Sequence, residues 1–253
     1  MTTISLLTII LAVLMVISGG RRGAISFVSL LLNFTLLFLT VILIAGGLPV
    51  LPVTFLAAVC ILAITIYLGN TDEVETNIAF LATLAVLVLM LLLIVPLDHL
   101  AQIHGFSNEE SEEIEAFNLA IGVNFEEIAL TTTLLSTLGA IAEAAIAVAS
   151  GMAEIIRQTA TEGDSELRKS GRNIGLQIMG MTFNTLFFGM FGGNLALFIL
   201  LYKLHASFGY YLNSKIFVGE TFLVLYSAIA VILVIWLTIE FMIIKAHKMK
   251  QSK

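Results

Sequence analysis

The carboxyl group of Glu143 stands in the middle of an apolar stretch, STLGAIAEAAIAVASGMAEI, which covers residues 136–155. Helical periodicity places residues three, four and seven positions apart on one side of a helix. At this spacing, one side of the helix carries a stripe of polar and small residues: Ser136, Glu143, Ala147, Ser150 and Glu154. An ionisable group inside a membrane span is typical of ion pathways and proton relays, so Glu143 predicts a route for a proton or another small ion.

The depth of Glu143 makes it the costly member of this stripe. If Ser150 is the inner end of the span, Glu143 lies about 10 Å inside it at about 1.5 Å per residue, whereas Glu154 lies at or beyond the boundary. An ionised carboxylate at such a depth costs roughly 3 kcal/mol on insertion scales. We therefore expect Glu143 to be protonated, paired or hydrated, and its face to be buried against protein. Gly139 and the alanines beside it would let a second helix approach closely.

A second polar stripe follows in the stretch GRNIGLQIMGMTFNTLFFGMFGGNL, residues 171–195. Its members at helical spacing are Asn173, Gln177, Gly180 and Asn184, and Gly189 and Gly193 extend the small-residue surface. Because the connection between the two stretches is short, we expect them to form neighbouring antiparallel spans. Counting inward from each end places Glu143 at a depth between Gln177 and Asn184. The sequence predicts a hydrogen-bonded cluster there, with the glycines as helix-packing positions.

Other polar residues give weaker signals. Asn33 and Thr65 lie in separate spans and could join the same interior, but a lone amide or hydroxyl in a span more often holds helices together. Asp98, His99 and His104 carry metal-binding side chains, yet their spacing matches no familiar ligand motif. We predict no metal site and no cofactor.

Composition sets the class of protein. Hydrophobic residues make up 59% of the 253 residues and charged residues 12%, against about 45–50% and about 25% in soluble domains. The sequence predicts an all-α, polytopic membrane protein that forms a single multi-pass domain over residues 1–253. Its one cysteine, Cys60, excludes an internal disulfide. The net charge of −6, without a basic stripe, argues against nucleic acid as a partner.

About seven transmembrane helices are predicted, at residues 3–17, 24–45, 50–68, 78–97, 128–149, 174–201 and 221–244. The first is short, and a signal peptide is the alternative. Since no basic residue precedes it and Arg21 and Arg22 follow it, the charge order is the reverse of a signal peptide, which favours a retained span.

Basic residues predict the orientation of these spans. With seven spans and the N-terminus outside, all basic residues except Lys203 and Lys215 lie on the cytoplasmic side, which follows the positive-inside rule and places the C-terminus in the cytoplasm. The acidic stretch GFSNEESEEIEAF, residues 105–117, then lies outside. Ser107 and Glu110 have the spacing of a capping box, so a short extracytoplasmic helix is expected near residues 107–117.

Four stretches resemble a known family. They are GRRGAISFVSLLLNFTLLF at 20–38, the acidic stretch at 105–117, TLGAIAEAAIAVASGMAEI at 137–155 and KSGRNIGLQIMGMTFNTLFFGMFGG at 169–193, in this order. Together they resemble the YibE/F family of bacterial multi-pass membrane proteins, which implies the bacterial cell (plasma) membrane as location. The size is similar to the shorter, YibF-like member, which implies a longer YibE-like sister subunit or a homo-oligomer as partner. The resemblance implies transport without naming a substrate.

Two functions fit these observations. In the first, the chain is a permease subunit, and Glu143 binds or exchanges an ion on a path with Ser136, Ser150, Asn173, Gln177 and Asn184. In the second, the chain does not transport but stabilises a sister subunit, and a protonated Glu143 donates a hydrogen bond between helices. An enzyme is not expected, because the sequence has no HExxH motif, no nucleophile elbow and no second deeply placed acid.

Overall fold

The computed structural model describes residues 2–69, 72–101, 124–158, 163–203, 205 and 207–251. These residues form eight helices: α1 (Thr3–Ala45), α2 (Val50–Gly69), α3 (Glu73–Ala101), α4 (Phe125–Gln158), α5 (Asp164–Gly193), α6 (Leu195–Lys203), α7 (Phe208–Asn213) and α8 (Lys215–Gln251). Six of the eight (α1 to α5 and α8) are long and apolar enough to cross a membrane. The predicted all-α, multi-pass membrane class is confirmed. The acidic helix expected near 107–117 lies outside the described residues.

Helix α1 contains both of the first two predicted spans. It is interrupted at Gly20, whose φ of 55° and ψ of −131° are not helical. Because a positive φ is strained for residues with a Cβ atom, this bend requires glycine. The bend is sharp: a Cβ atom added to Gly23 would lie 1.8 Å from the carbonyl oxygen of Met15. The described chain thus has six membrane-length helices, and the predicted count of seven separate spans is not confirmed.

The second half of α1 packs on α2 through two polar contacts. The side-chain amide of Asn33 donates a hydrogen bond to the Thr65 hydroxyl at 2.8 Å. The Ser29 hydroxyl donates to the carbonyl oxygen of Ile64 at 3.4 Å. Asn33 and Thr65 therefore hold two helices together, and do not join the cluster predicted around Glu143.

Helix α4 lies at the centre of the bundle, where it contacts α2, α3, α5 and α8. Its buried side is made of small and aliphatic residues, including Ile141, Ala145, Val148 and Met152, each at most 1% exposed. A hydrogen bond of 2.8 Å between the hydroxyls of Thr54 and Thr131 joins this side to α2. Small residues let the helices approach closely, and dispersion contacts then hold them in the absence of water.

Three glycines make the closest helix contacts, and none of them was among the predicted packing positions. Added Cβ atoms would lie 2.7 Å from the Met152 sulfur at Gly171, 2.5 Å from Ile235 at Gly175 and 2.9 Å from Ile174 at Gly151. The predicted positions make no such contact within the described part of the chain: a Cβ atom at Gly139, Gly180, Gly189 or Gly193 would meet no described atom within 4 Å. For α5 the difference comes from how the helix is rotated about its own axis: the side with Gly171 and Gly175 faces the bundle, and the side with Gly180 does not.

Candidate functional site

Glu143 lies near the middle of α4 and is exposed on the outside of the bundle. Its neighbours Ala142 and Ala144 are 1% and 0% exposed, so the carboxyl group lies on a side of α4 that none of the described helices covers. The predicted burial of this face against protein is not provided by the described residues of the single chain, in which Glu143 is exposed. Apolar packing on α2, α3 and α8 uses the other sides of α4, which leaves the polar side uncovered.

The exposed part of this side is a row that we call the α4 stripe: Ser136, Gly139, Glu143 and Ala147. A matching row on the neighbouring helix, the α5 stripe, consists of Asn173, Gln177, Gly180 and Asn184, which are all exposed. The amide of Asn184 donates to the carbonyl oxygen of Gly180 at 2.9 Å, within its own helix. Among the described residues no hydrogen bond joins Glu143 to the α5 stripe, so the predicted cluster does not form inside one chain.

The two stripes nevertheless lie at the same depth. Helices α4 and α5 are antiparallel neighbours, and Gly151 lies against Ile174. Eight residues back from Gly151 is Glu143, and eight residues on from Ile174 is residue 182, so both lie about 12 Å from this contact at about 1.5 Å per residue. Glu143 is therefore level with the segment between Gly180 and Asn184, in agreement with the predicted depth.

The polar side of α4 leads into a buried carboxylate at its predicted cytoplasmic end. Ser150 is half-buried, and its hydroxyl donates to Oε2 of Glu75 at 2.7 Å. Glu75 lies in the first turn of α3 and is 6% exposed. The guanidinium of Arg157 donates from Nη2 to Oε1 of Glu75 at 3.0 Å and to Oδ2 of Asp72 at 2.6 Å. Ser150 thus connects the α4 stripe to an ionic cluster between α3 and α4.

Sequence reasoning missed Glu75 and Asp72. Acidic residues at the start of a helix are stabilised by the helix dipole and give no sign of a further role. Their partner Arg157 comes 82 residues after Glu75, in a different helix. They could have been found only by assuming that α3 packs on α4, because Arg157 lies in the last turn of the helix that carries Glu143.

Two further contacts hold α5 to α8 at the same end. Arg168 donates two hydrogen bonds to the carboxylate of Glu240, each 2.8 Å long. Nε2 of His247 lies 2.6 and 2.7 Å from the two carboxylate oxygens of Asp164. All four side chains are partly exposed, so these pairs fix the helix ends more than they define a binding site.

The opposite end of the bundle contains Asp98 and His99, two of the three residues whose side chains were considered as metal ligands. Tyr226 donates from its hydroxyl to Oδ1 of Asp98 at 3.2 Å. Nδ1 of His99 lies 3.1 Å from Oε1 of Glu126. Within the described ranges no group of three or more metal-binding side chains occurs. His104 lies outside the described residues.

One comparison with known proteins identified a family. The family model for YibE/F-like protein matches residues 7–248. Comparisons with curated proteins and with solved structures found no match. The matched region includes both stripes and reaches into all six membrane-length helices, so the similarity extends over nearly the whole chain. The chain belongs to the YibE/F family.

Proposed function

We propose that the chain is a subunit of a permease in the bacterial plasma membrane, and that Glu143 binds a proton or small cation on its path. One observation carries the proposal: Glu143 lies near the middle of the membrane-length helix α4, on the same side as Ser150, whose hydroxyl binds the buried carboxylate of Glu75. Oxygen ligands on a path of this kind bind a proton or a hard cation.

The proposal requires a second protein surface over the stripes. An ionised carboxylate facing hydrocarbon costs roughly 3 kcal/mol or more, and amide groups add to that cost. The α4 and α5 stripes together expose a carboxyl, three amides and a hydroxyl, which is an unfavourable surface to present to lipid. A partner subunit that covers this surface would bury Glu143 and enclose the path between subunits.

Glu75 gives this path its cytoplasmic end. Glu143 and Ser150 are seven residues apart, which is about 10 Å along the helix axis. An ion that leaves Glu143 would next meet the Ser150 hydroxyl and then Glu75. Arg157 supplies the countercharge at Glu75, and an arriving cation would have to weaken this pairing before release.

The topology of the proposed subunit has seven crossings, with the N-terminus outside and the C-terminus in the cytoplasm. Helix α1 has 43 residues, about 64 Å at 1.5 Å per residue, which is twice the thickness of the hydrocarbon core. The bend at Gly20 brings residue 23 against residue 15 and lies beside Arg21 and Arg22. Two crossings that meet at a basic cytoplasmic turn account for this length and charge.

A second candidate function is assembly without transport. The exposure of both stripes favours it, because an uncovered polar face on a membrane helix is a binding surface for another subunit. In this case Glu143 stays protonated and only donates a hydrogen bond to the partner. The longer YibE-like sister subunit would then contain the path.

Measurement of ion flux in inverted membrane vesicles distinguishes the two candidates. Vesicles from cells that express the chain would be tested with pH-sensitive and metal-sensitive dyes against protons, Mg²⁺, Mn²⁺, Zn²⁺ and K⁺. Glu143→Gln keeps the size of the side chain and its capacity for hydrogen bonds, but not its charge. We expect Glu143→Gln to reduce flux at least tenfold with unchanged assembly.

The matched control is Glu154→Gln, which removes a carboxyl from the exposed inner end of the same helix side. It should leave flux within about twofold of the unmodified protein. Equal flux in Glu143→Gln and the unmodified protein would remove the transport proposal and leave the assembly role.

A further inference from the structure

We infer that a second copy of this chain covers the polar face, with the α4 stripe of each copy lying on the α5 stripe of the other about a two-fold axis normal to the membrane. The inference rests on the proposed function, because it supplies the partner for the same Glu143 surface. Three properties of the described residues support it: the direction of the stripes, their depth and their chemistry.

The two stripes point to the same side of the molecule. At about 100° per residue, Glu143 lies about 80° around α4 from Gly151, which marks the direction of α5. The members of the α5 stripe lie on average about 90° around α5 from Ile174, which contacts Gly151 and so marks the direction of α4. Both angles have the same sign when each helix is viewed from its N-terminus. Because the two helices are antiparallel and face each other, equal rotations about their axes turn the two stripes toward the same side of the pair. The result is a continuous polar face along the two helices.

Depth makes this face complementary to itself. A two-fold axis along the membrane normal keeps every residue at its own depth and places α4 of one copy opposite α5 of the other. Glu143 is level with residue 182, so it would meet the second copy between Gly180 and Asn184. Ala147, four residues from Gly151, would be level with residue 178 and adjacent to Gln177. An isologous interface has this property, since each contact occurs twice.

The chemistry of the stripes is also complementary. The α4 stripe contributes a carboxyl and a hydroxyl but no amide, and the α5 stripe contributes three amides but no carboxyl. Amides both donate and accept hydrogen bonds, and they can pair with a carboxyl in either protonation state. At Gly139 and Gly180 an added Cβ atom would meet no described atom of the same chain within 4 Å. These positions leave room for the close approach of a second backbone, which short polar side chains need in order to pair.

Cysteine cross-linking between two differently tagged copies tests this arrangement. Both copies carry Cys60→Ser, which removes the native thiol. One copy carries Ala147→Cys and the other Gln177→Cys, and oxidation with copper phenanthroline is performed in native membranes. We expect a disulfide-linked dimer that contains both tags.

The matched control replaces Gln177→Cys by Leu176→Cys. Leu176 is exposed and lies one residue away at nearly the same depth, but it points about 100° away around α5. We expect at least a fivefold lower yield of the dimer from this pair. Equal yields from the two pairs would overturn the proposed face, and so would no dimer in either pair when the single cysteines still react with a small maleimide.

The mass of the unmodified protein in lipid nanodiscs provides a measurement without substitutions. The inference predicts about twice the chain mass of 27.4 kDa. The mass of a monomer, or of a complex with one larger membrane protein, would overturn the inference and favour a different partner. Because cross-linking measures assembly and dyes measure flux, a dimer without flux contradicts the proposed function alone. Flux that depends on Glu143 without a dimer contradicts this inference alone.

Discussion

At the scale of single residues, Glu75 stands out because its side chain is the only charged one that is buried among the described residues. It accepts hydrogen bonds from Ser150 and Arg157 and is 6% exposed. A buried charge of this kind is stable only while its partners remain, because the cost of removing it from water is large. The end of the α3–α4 contact that carries Glu75 and Arg157 therefore depends on a small number of polar atoms, whereas the rest of the contact is apolar.

We predict that Glu75→Ala lowers the stability of the protein by about 1–3 kcal/mol, because Ser150 loses its acceptor and Arg157 loses one of its two carboxylates. The measurement is the thermal unfolding midpoint in detergent. Glu73→Ala is the control, since Glu73 lies in the same first turn of α3 but is exposed. Equal midpoints for the two variants would show that the cluster does not hold the helices together.

Residue types alone allowed part of the site to be predicted. The polar stripe around Glu143 and its depth relative to Gln177 and Asn184 follow from helical periodicity and from the short connection between spans. Burial could not be predicted in the same way, because it depends on which side of α4 meets α2, α3 and α8. Glu75 was missed for a related reason: its pairing with Arg157 joins residues 82 positions apart, and the sequence gives no local signal for it.

At the scale of helices, the packing of α5 is set by glycines that the other helices touch. The side of α5 with Gly171 and Gly175 meets Ile239 and Ile235 of α8, whereas a Cβ atom added at Gly180 would meet no described atom within 4 Å. Small residues occur on both sides, so their presence did not decide which side packs. The large residues of the opposing helix decide it, because Ile235 and Ile239 fill the space that the glycines leave open.

Substitution of these glycines tests that packing. A Cβ atom at Gly175 would lie 2.5 Å from Cγ2 of Ile235, and such overpacking costs about 1–3 kcal/mol. We predict that Gly175→Ala lowers the thermal unfolding midpoint. Gly189→Ala, where a Cβ atom meets nothing within 4 Å, should leave the midpoint unchanged or raise it slightly. The reverse order of the two midpoints would contradict the packing of α5 on α8.

At the scale of the whole molecule, the membrane class follows from composition, and the family follows from the order of the motifs. The number of membrane crossings depends on the kink at Gly20 in α1. Hydropathy separates residues 3–17 from residues 24–45 as two apolar runs, and in the structure they lie in two helical segments of α1 that meet at a sharp kink at Gly20. Whether the half of α1 before Gly20 crosses the membrane by itself decides the side on which the N-terminus lies.

Labelling of single cysteines in intact cells decides this question. In a Cys60→Ser background, seven crossings predict that a membrane-impermeant maleimide labels Thr2→Cys from outside, and that Lys248→Cys reacts only after the cells are made permeable. Ser207→Cys, an exposed position just before α7, serves as the outer control. Labelling of Thr2→Cys only in permeable cells, with Ser207→Cys still labelled from outside, would place the N-terminus inside. Helix α1 would then count as a single crossing, and Arg21 and Arg22 would lose their role as a cytoplasmic turn.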